Sequence, residues 1–306
     1  MQRHIIPAFL AISSIALAGS SCDKKTSAKP EKTTNGNNVV KAADRVKNQN
    51  NSDPIPGVSL EGISAENVKR FHKHANSLVS PCGGAASLRT ASKKDSKCVQ
   101  GKYGAQYLAQ MLKDEAEDDI ITKVWTNLYE KKHTKVAFKI DPESPHSGPT
   151  DAKVVLVEFF DYGCGHCKEF HPVVAELAQE FPQDMVIYYK NFVLGGFPNS
   201  KIAAQAALAA HKQGKFHKMH DKLWEMQGAH QQKQLDGYAT ALGLDMAKFK
   251  TDSAGSAVQV DTDKVAGNQA KVQGTPALYV NGVVYEGIKE ARYLKIWINQ
   301  ALAVNR

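Results

Sequence analysis

The sequence has few long apolar stretches and few clustered charges, and each scarcity excludes a class of protein. Its longest apolar stretch, residues 5–18, spans 14 residues, too few to cross a hydrocarbon core of roughly 30 Å as a helix. No arginine-rich run is interleaved with aromatic residues, which argues against nucleic-acid binding. A hydrophobic fraction of 42% and a charged fraction of 23% over 306 residues exclude collagen, wholesale disorder and a polytopic membrane protein, and favour a chain of about two globular domains.

The N-terminus predicts export. Arg3 precedes the apolar stretch, in the order typical of a signal peptide, and we assign residues 1–21 to that peptide. Two cleavage hypotheses stay open. Residues 16–18 (Ala-Leu-Ala) fit ordinary signal peptidase, whereas residues 19–22 (Gly-Ser-Ser-Cys) resemble a bacterial lipobox, in which Cys22 would carry a lipid.

Residues 22–57 are predicted to form a disordered tether. They are rich in Lys, Thr, Asn and Ser and hold few large apolar side chains, so they cannot bury enough surface to fold. A solvated tether suits a lipid anchor, which favours a lipoprotein on the periplasmic side of a bacterial membrane over a plain secreted protein. Contact with the membrane is then expected through the lipid anchor only.

Five cysteines are present, at positions 22, 82, 98, 164 and 167. With Cys22 as the lipid site, two pairs remain and none is left over. Exported bacterial compartments are oxidising, so disulfides are expected there.

A small all-α module is predicted over residues 58–140. Ser64 can cap a first helix, and two further helical patterns follow. Cys82 and Cys98 are predicted to form a structural disulfide that staples this small bundle. The alternative is a second redox pair that relays electrons to another site.

A C-x-x-C motif lies where a buried strand turns into a helix. The apolar run 154–160 predicts the strand, and Cys164-Gly165-His166-Cys167 begins the helical pattern that follows it. The N-terminus of a helix stabilises a thiolate, and the imidazole of His166 can add positive charge. The second cysteine, one turn on, is placed to close a disulfide with the first. A zinc site is the alternative, but zinc needs four ligands.

A second signal comes much later in the chain. Thr275-Pro276 precedes a short strand, and Asn281-Gly282 predicts a hairpin turn into a last strand. Together with the C-x-x-C motif, this pattern resembles the thioredoxin superfamily. The resemblance implies that Pro276 has a cis peptide bond and that the backbone of Thr275 pairs with an extended substrate.

The resemblance extends to the DsbA-like branch of that superfamily. About eighty residues of helical pattern, at about 195–272, lie between the two motifs, and DsbA-like proteins insert a helical domain there. Glu158, six residues before Cys164, corresponds to their buried acid. Departures are Gly165, where DsbA has Pro, and Thr275, where it has Val. The predicted fold is α/β: a thioredoxin fold over residues 150–306 with a helical insertion, preceded by the all-α module.

The predicted function is that of an exported thiol–disulfide oxidoreductase that introduces disulfides into exported proteins. The proposed catalytic residues are Cys164, Cys167, His166, Pro276, Thr275 and Glu158. Burial would raise the pKa of Glu158, so that it can exchange protons with Cys167. Its partners would be exported proteins with cysteines and a membrane redox partner of the DsbB or quinone-linked type, with no cofactor, metal or nucleic acid. The alternatives are a disulfide isomerase or reductase and, from another class, a periplasmic metal-binding chaperone.

Overall fold

The computed structural model describes residues 51–141 and 144–304, which belong to one compact unit. The predicted signal peptide, Cys22 and the tether up to residue 50 lie outside the described residues. Within the described part of the chain, no helix has both the length and the apolar character needed to span a membrane.

The first part of the described chain is helical, as its pattern predicts. Ser64 caps the first helix by accepting a hydrogen bond from the backbone N–H of Asn67. Phe71, Leu108 and Trp125 fill the space between the helices. The helices are α1 (Ala65–Ser77), α2 (Leu88–Ala91), α3 (Val99–Lys113) and α4 (Asp118–Trp125), the last continuing as a π-helical turn (Thr126–Glu130).

Residues 51–57, assigned to the tether by composition, pack against this helical module. Ile55 is buried with the module's apolar side chains, and the guanidinium of Arg89 donates to the carbonyl of Asp53. The packed region therefore begins before residue 58, because one isoleucine between two prolines supplies an apolar anchor that average composition does not reveal.

A five-stranded sheet lies in the second part of the chain, in the order β1-β3-β2-β4-β5. Strand β2 is parallel to β3, and the other neighbouring pairs are antiparallel. Six of the seven residues of β2 are buried, as the continuous apolar run predicts. The strands are β1 (His146–Ser147), β2 (Val154–Phe160), β3 (Met185–Asn191), β4 (Ala277–Val280) and β5 (Val283–Val284).

Two details of the sheet stand out. Asn281 and Gly282 have φ values of 50° and 81°, the left-handed backbone that a two-residue hairpin turn of the predicted kind requires. Strand β1 pairs with β3 before residue 150, so the sheet starts earlier than the predicted domain boundary. A two-residue strand carries too little periodicity to be found from the sequence.

Helix α5 (Gly165–Glu180) follows β2, and five helices lie between β3 and β4. The helical pattern predicts segments at 201–211, 216–226, 231–242 and 257–272, and four of these helices agree with them. Helix α9 is not among the predicted segments, because Phe249 is its one buried residue and its pattern is mostly polar. These helices are α6 (Ser200–His211), α7 (Phe216–Glu225), α8 (Gln232–Ala241), α9 (Met246–Gly255) and α10 (Ala257–Gln269). The predicted α/β fold with a helical insertion is confirmed.

The last helix, α11 (Ala291–Val304), joins the sheet to the helical module. It packs against α3, α5 and β2. The rings of Tyr107 on α3 and Tyr293 on α11 lie 4.9 Å apart, and the Tyr293 hydroxyl donates to the Asp114 carboxylate at 2.6 Å. The module is therefore packed directly on the thioredoxin-like part of the molecule.

Candidate active site at the start of helix α5

Cys164 is the N-cap residue of α5, and Cys167 lies in its first turn. Both thiols are free in this structure, and both side chains are buried, with Cys164 5% exposed and Cys167 fully covered. The N-terminus of the helix presents unpaired N–H groups and the positive end of its dipole to the first sulfur. At Cys167, burial opposes ionisation of the thiol.

Burial raises the pKa of the Cys167 thiol well above its ordinary value. Cys167 therefore holds its proton until something removes it. This suits a pair in which the Cys164 sulfur forms the bond to the substrate and Cys167 is the buried resolving cysteine.

A tight turn holds the pair in place. The Asp161 carboxylate accepts hydrogen bonds from the backbone N–H of Gly163 at 2.8 Å and of Leu194 at 2.5 Å. A Cβ atom on Gly163 would lie 2.3 Å from the Cβ of Phe197, so glycine is required there. The segment after β3 thus packs closely against the turn that precedes Cys164.

The Thr275-Pro276 segment lies next to Cys164. Its peptide bond is cis, and the Cys164 thiol donates to the Thr275 carbonyl at 3.4 Å. Four of the residues predicted to act together, Cys164, Cys167, Thr275 and Pro276, are therefore brought together by the fold. The two motifs are more than a hundred residues apart in sequence, and the antiparallel pairing of β2 with β4 explains their proximity.

His166 is exposed, whereas Glu158 is buried. The His166 side chain is 86% exposed, and its Nδ1 lies 3.5 Å from an Oε2 of Glu169, which is also exposed. Glu158 is 3% exposed, and burial raises the pKa of its carboxyl to about 8. Glu158 points to the same face of β2 as Leu156 and Phe160, which share a core with Cys167.

Sequence reasoning missed a polar network beneath the turn. The Trp224 indole N–H donates to Nε2 of His220 at 3.1 Å, so Nδ1 carries the ring proton and donates to the Tyr162 hydroxyl at 2.7 Å. The imidazole is buried, which holds the pKa of His220 well below its usual range. His220 is therefore a neutral group that holds Tyr162, two residues before Cys164.

Gln227 was also missed. Its side-chain amide donates to the carbonyls of Tyr162 and Cys164 at 3.0 and 2.9 Å, so the helical insertion holds the cysteine turn directly. Gln227 follows α7 in a loop and belongs to no motif, so no local signal marks it.

A groove of about 660 Å³ borders the cysteine pair. It is open to solvent, and its walls come from the start of α5, from the Thr275-Pro276 segment and from the segment before α11. The residues that define it include His166, Glu169, Thr275, Pro276, Gly287 and Lys289. Cys82 and Cys98 are joined by a disulfide in the helical module; their role as a structural staple stays a prediction. Among the described residues, no group of three or more His, Cys, Asp or Glu side chains is arranged to hold a metal ion.

The family model described as thioredoxin matches residues 141–300. The match covers more than half of the chain, which therefore belongs to the thioredoxin family. Together with the helical insertion between β3 and β4, this confirms the assignment to the thioredoxin superfamily with a DsbA-like arrangement.

Curated relatives match part of the chain. A Na(+)/H(+) antiporter NhaA 1 of Salinispora arenicola is 34% identical over 170 residues, which cover 55% of this chain and 26% of the relative. A Na(+)/H(+) antiporter NhaA of Herminiimonas arsenicoxydans is 33% identical over 156 residues, covering 50% and 25%. The chain spans about a quarter of the length of these relatives.

Solved structures also show similarity. A thioredoxin-like oxidoreductase from Silicibacter pomeroyi is 28% identical with a TM-score of 0.48, covering 53% of this chain and 93% of the other. Oxidised BdbD from Bacillus subtilis is 27% identical with a TM-score of 0.47, covering 52% and 93%.

Proposed function

We propose that the protein is an exported thiol–disulfide oxidase that introduces disulfides into exported proteins. The observation that carries the proposal is the contact between the Cys164 thiol and the Thr275 carbonyl, beside the cis peptide bond of Pro276. An extended substrate that pairs with the Thr275 backbone would bring its own sulfur against Cys164. The groove beside the pair supplies the space for such a segment.

The reaction starts from the oxidised enzyme, with Cys164 and Cys167 joined. A substrate thiolate attacks the Cys164 sulfur, a new sulfur–sulfur bond forms to the substrate, and the Cys167 sulfur leaves. A second substrate thiolate then attacks the substrate sulfur of this mixed disulfide and releases Cys164 as a thiolate. The substrate gains a disulfide, and two electrons remain on the enzyme's cysteines.

Glu158 and Cys167 handle the proton in this scheme. Burial raises the pKa of both groups, so the Cys167 sulfur needs a proton when it leaves. With a pKa of about 8, the Glu158 carboxyl is protonated at neutral pH and can supply that proton. It takes the proton back when Cys167 is reoxidised.

Each cycle leaves a reduced enzyme, so an oxidant must restore the disulfide. We propose a membrane redox partner of the DsbB or quinone-linked type, which would reach Cys164 from the same open side as the substrate. Cys22, as a lipid site, would keep the protein at the membrane surface where such a partner lies.

The test compares two activities of the purified protein. A reduced protein with several disulfides should regain them with oxidised enzyme, whereas a fully oxidised, scrambled form of the same protein should be rescued poorly. Rescue of the scrambled form together with weak oxidation would assign the protein to the isomerases instead. No thiol exchange in either assay would contradict the oxidoreductase proposal altogether.

A further inference from the structure

The groove beside the cysteines has one wall that the helical module holds in place. This wall is the groove loop, residues 285–290, between β5 and α11, and it places Gly287 and Lys289 on the groove. Since the loop has no secondary structure of its own, contacts with other parts of the chain must determine its position.

Tyr107 of α3 makes the central contact. The Ile288 backbone N–H donates to the Tyr107 hydroxyl at 2.9 Å, and the Tyr285 hydroxyl donates to the Ile288 carbonyl at 2.8 Å. The two hydroxyls lie 2.9 Å apart. The Tyr285 hydroxyl has one hydrogen, which it donates to the carbonyl, so Tyr107 must donate to Tyr285. The three residues therefore form a closed ring of hydrogen bonds.

Packing and charge reinforce this ring. A Cβ atom on Gly287 would lie 2.6 Å from the Tyr107 hydroxyl and 2.7 Å from the Tyr285 hydroxyl, so the loop lies flat on the two tyrosines. Lys131, after α4, pairs with the carboxylate of Glu286 at 2.6 Å. The module thus holds the loop at two points, one buried and one exposed.

The ring of hydrogen bonds is independent of pH in the physiological range. Burial raises the pKa of Tyr107 to about 12, so its hydroxyl stays neutral and keeps both its donor and its acceptor. The contact is therefore permanent rather than a pH switch.

We propose that Tyr107 is a positioning residue for the groove, through which the N-terminal helical module sets how the protein binds the polypeptide part of its substrates. The inference rests on the proposed function. It follows from the position of the ring, which fixes the groove loop while leaving the cysteine turn to Asp161 and Gln227. Loosening the loop should weaken binding of a peptide and leave the sulfur chemistry unchanged.

The experiment uses Tyr107→Phe in the full chain, with Tyr129→Phe as the matched control. Tyr129 belongs to the same module, but its hydroxyl donates to Gln300 on α11 at 3.1 Å and not to the groove loop. Both variants lose one buried hydroxyl and keep the aromatic side chain, so a general loss of stability should be similar in the two.

Three quantities are measured. For oxidation of a dithiol peptide, Tyr107→Phe should raise KM about 5- to 10-fold with kcat little changed, the effect of losing one to two hydrogen bonds. The rate with dithiothreitol, which does not need the groove, should stay the same. Hydrogen exchange of the Ile288 amide should speed up by a similar factor in Tyr107→Phe and not in Tyr129→Phe.

A second variant tests the groove loop without removing a buried group, so that a folding defect cannot explain its effect. Lys131→Met removes the exposed ion pair and leaves the tyrosine ring intact, so the peptide KM should rise about twofold at low salt and not at high salt. Equal effects of Tyr107→Phe and Tyr129→Phe on the peptide KM, or unchanged Ile288 exchange, would overturn the inference. A wild type inactive even with dithiothreitol would instead refute the proposed function, and Ile288 exchange would still decide whether Tyr107 positions the loop.

Discussion

The two cysteine pairs begin helices in the same way, yet their surroundings differ. Cys98 is the N-cap of α3, and Cys164 is the N-cap of α5. Gln100 Oε1 lies 2.8 Å from the Cys82 sulfur, and Cys82 is exposed. The other pair is buried under a carbonyl from a distant loop. We propose that a helix N-terminus alone does not make a redox site, and that the Thr275-Pro276 segment facing Cys164 distinguishes this pair from Cys82–Cys98.

The largest effects are expected when the cysteines of each pair are replaced in turn. Cys164→Ser should reduce thiol–disulfide exchange to below roughly a thousandth of the wild-type rate, because the sulfur that forms the mixed disulfide with the substrate is gone. The double variant Cys82→Ser/Cys98→Ser should keep its activity and lose about 3 kcal/mol of unfolding free energy, as expected for a disulfide that closes a loop of this length. Steady-state oxidation of a dithiol peptide and urea unfolding measure the two effects.

Loss of exchange in the double variant with no loss of stability would reverse the roles assigned here. It would make Cys82–Cys98 the relay pair that the sequence left open as an alternative. The single variant Cys167→Ser is the internal control, because it should trap mixed disulfides with substrate.

Local patterns predicted the parts of the site that are built locally. The apolar run 154–160, the C-x-x-C motif and the Asn281-Gly282 turn each have a physical signature within a few residues, and the structure shows each element where expected. The hydrogen bond between Tyr107 and Ile288 joins residues 181 positions apart. Nothing in either segment's periodicity indicates the other, so this contact needs the three-dimensional structure.

Glu158 is buried on the face of β2 whose neighbours Leu156 and Phe160 share a core with Cys167. Its folded-state pKa of about 8 exceeds its ordinary value of 4.5, so the native state binds more protons than the unfolded state between these pH values. The unfolding free energy should therefore fall as pH rises from about 4.5 to 8, by up to roughly 5 kcal/mol. Glu158→Gln should remove this slope.

The measurement is urea unfolding at pH 5, 7 and 9 for wild type, Glu158→Gln and a control, Glu169→Gln. Glu169 is exposed on α5 near the same cysteines, so its variant should keep the wild-type slope. Equal slopes in all three proteins would show that Glu158 ionises as it does in the unfolded chain, and the proposed proton transfer to Cys167 would then lose its support.

The smallest effect is expected from His166, although it lies between the two cysteines in sequence. Its side chain is 86% exposed and lies near the Glu169 carboxylate, so solvent and a neighbouring negative charge weaken its influence on the Cys164 sulfur. His166→Gln should shift the reduction potential of the pair by less than about 20 mV, and by more at low salt than at high salt.

Lys168→Gln, which changes another exposed side chain in the same turn, is the control and should shift the potential as little. Redox titration against glutathione at two ionic strengths measures both variants. A shift of about 60 mV for His166→Gln alone, equivalent to a hundredfold change in the exchange equilibrium, would contradict this expectation and would mean that the imidazole acts on the Cys164 sulfur despite its exposure.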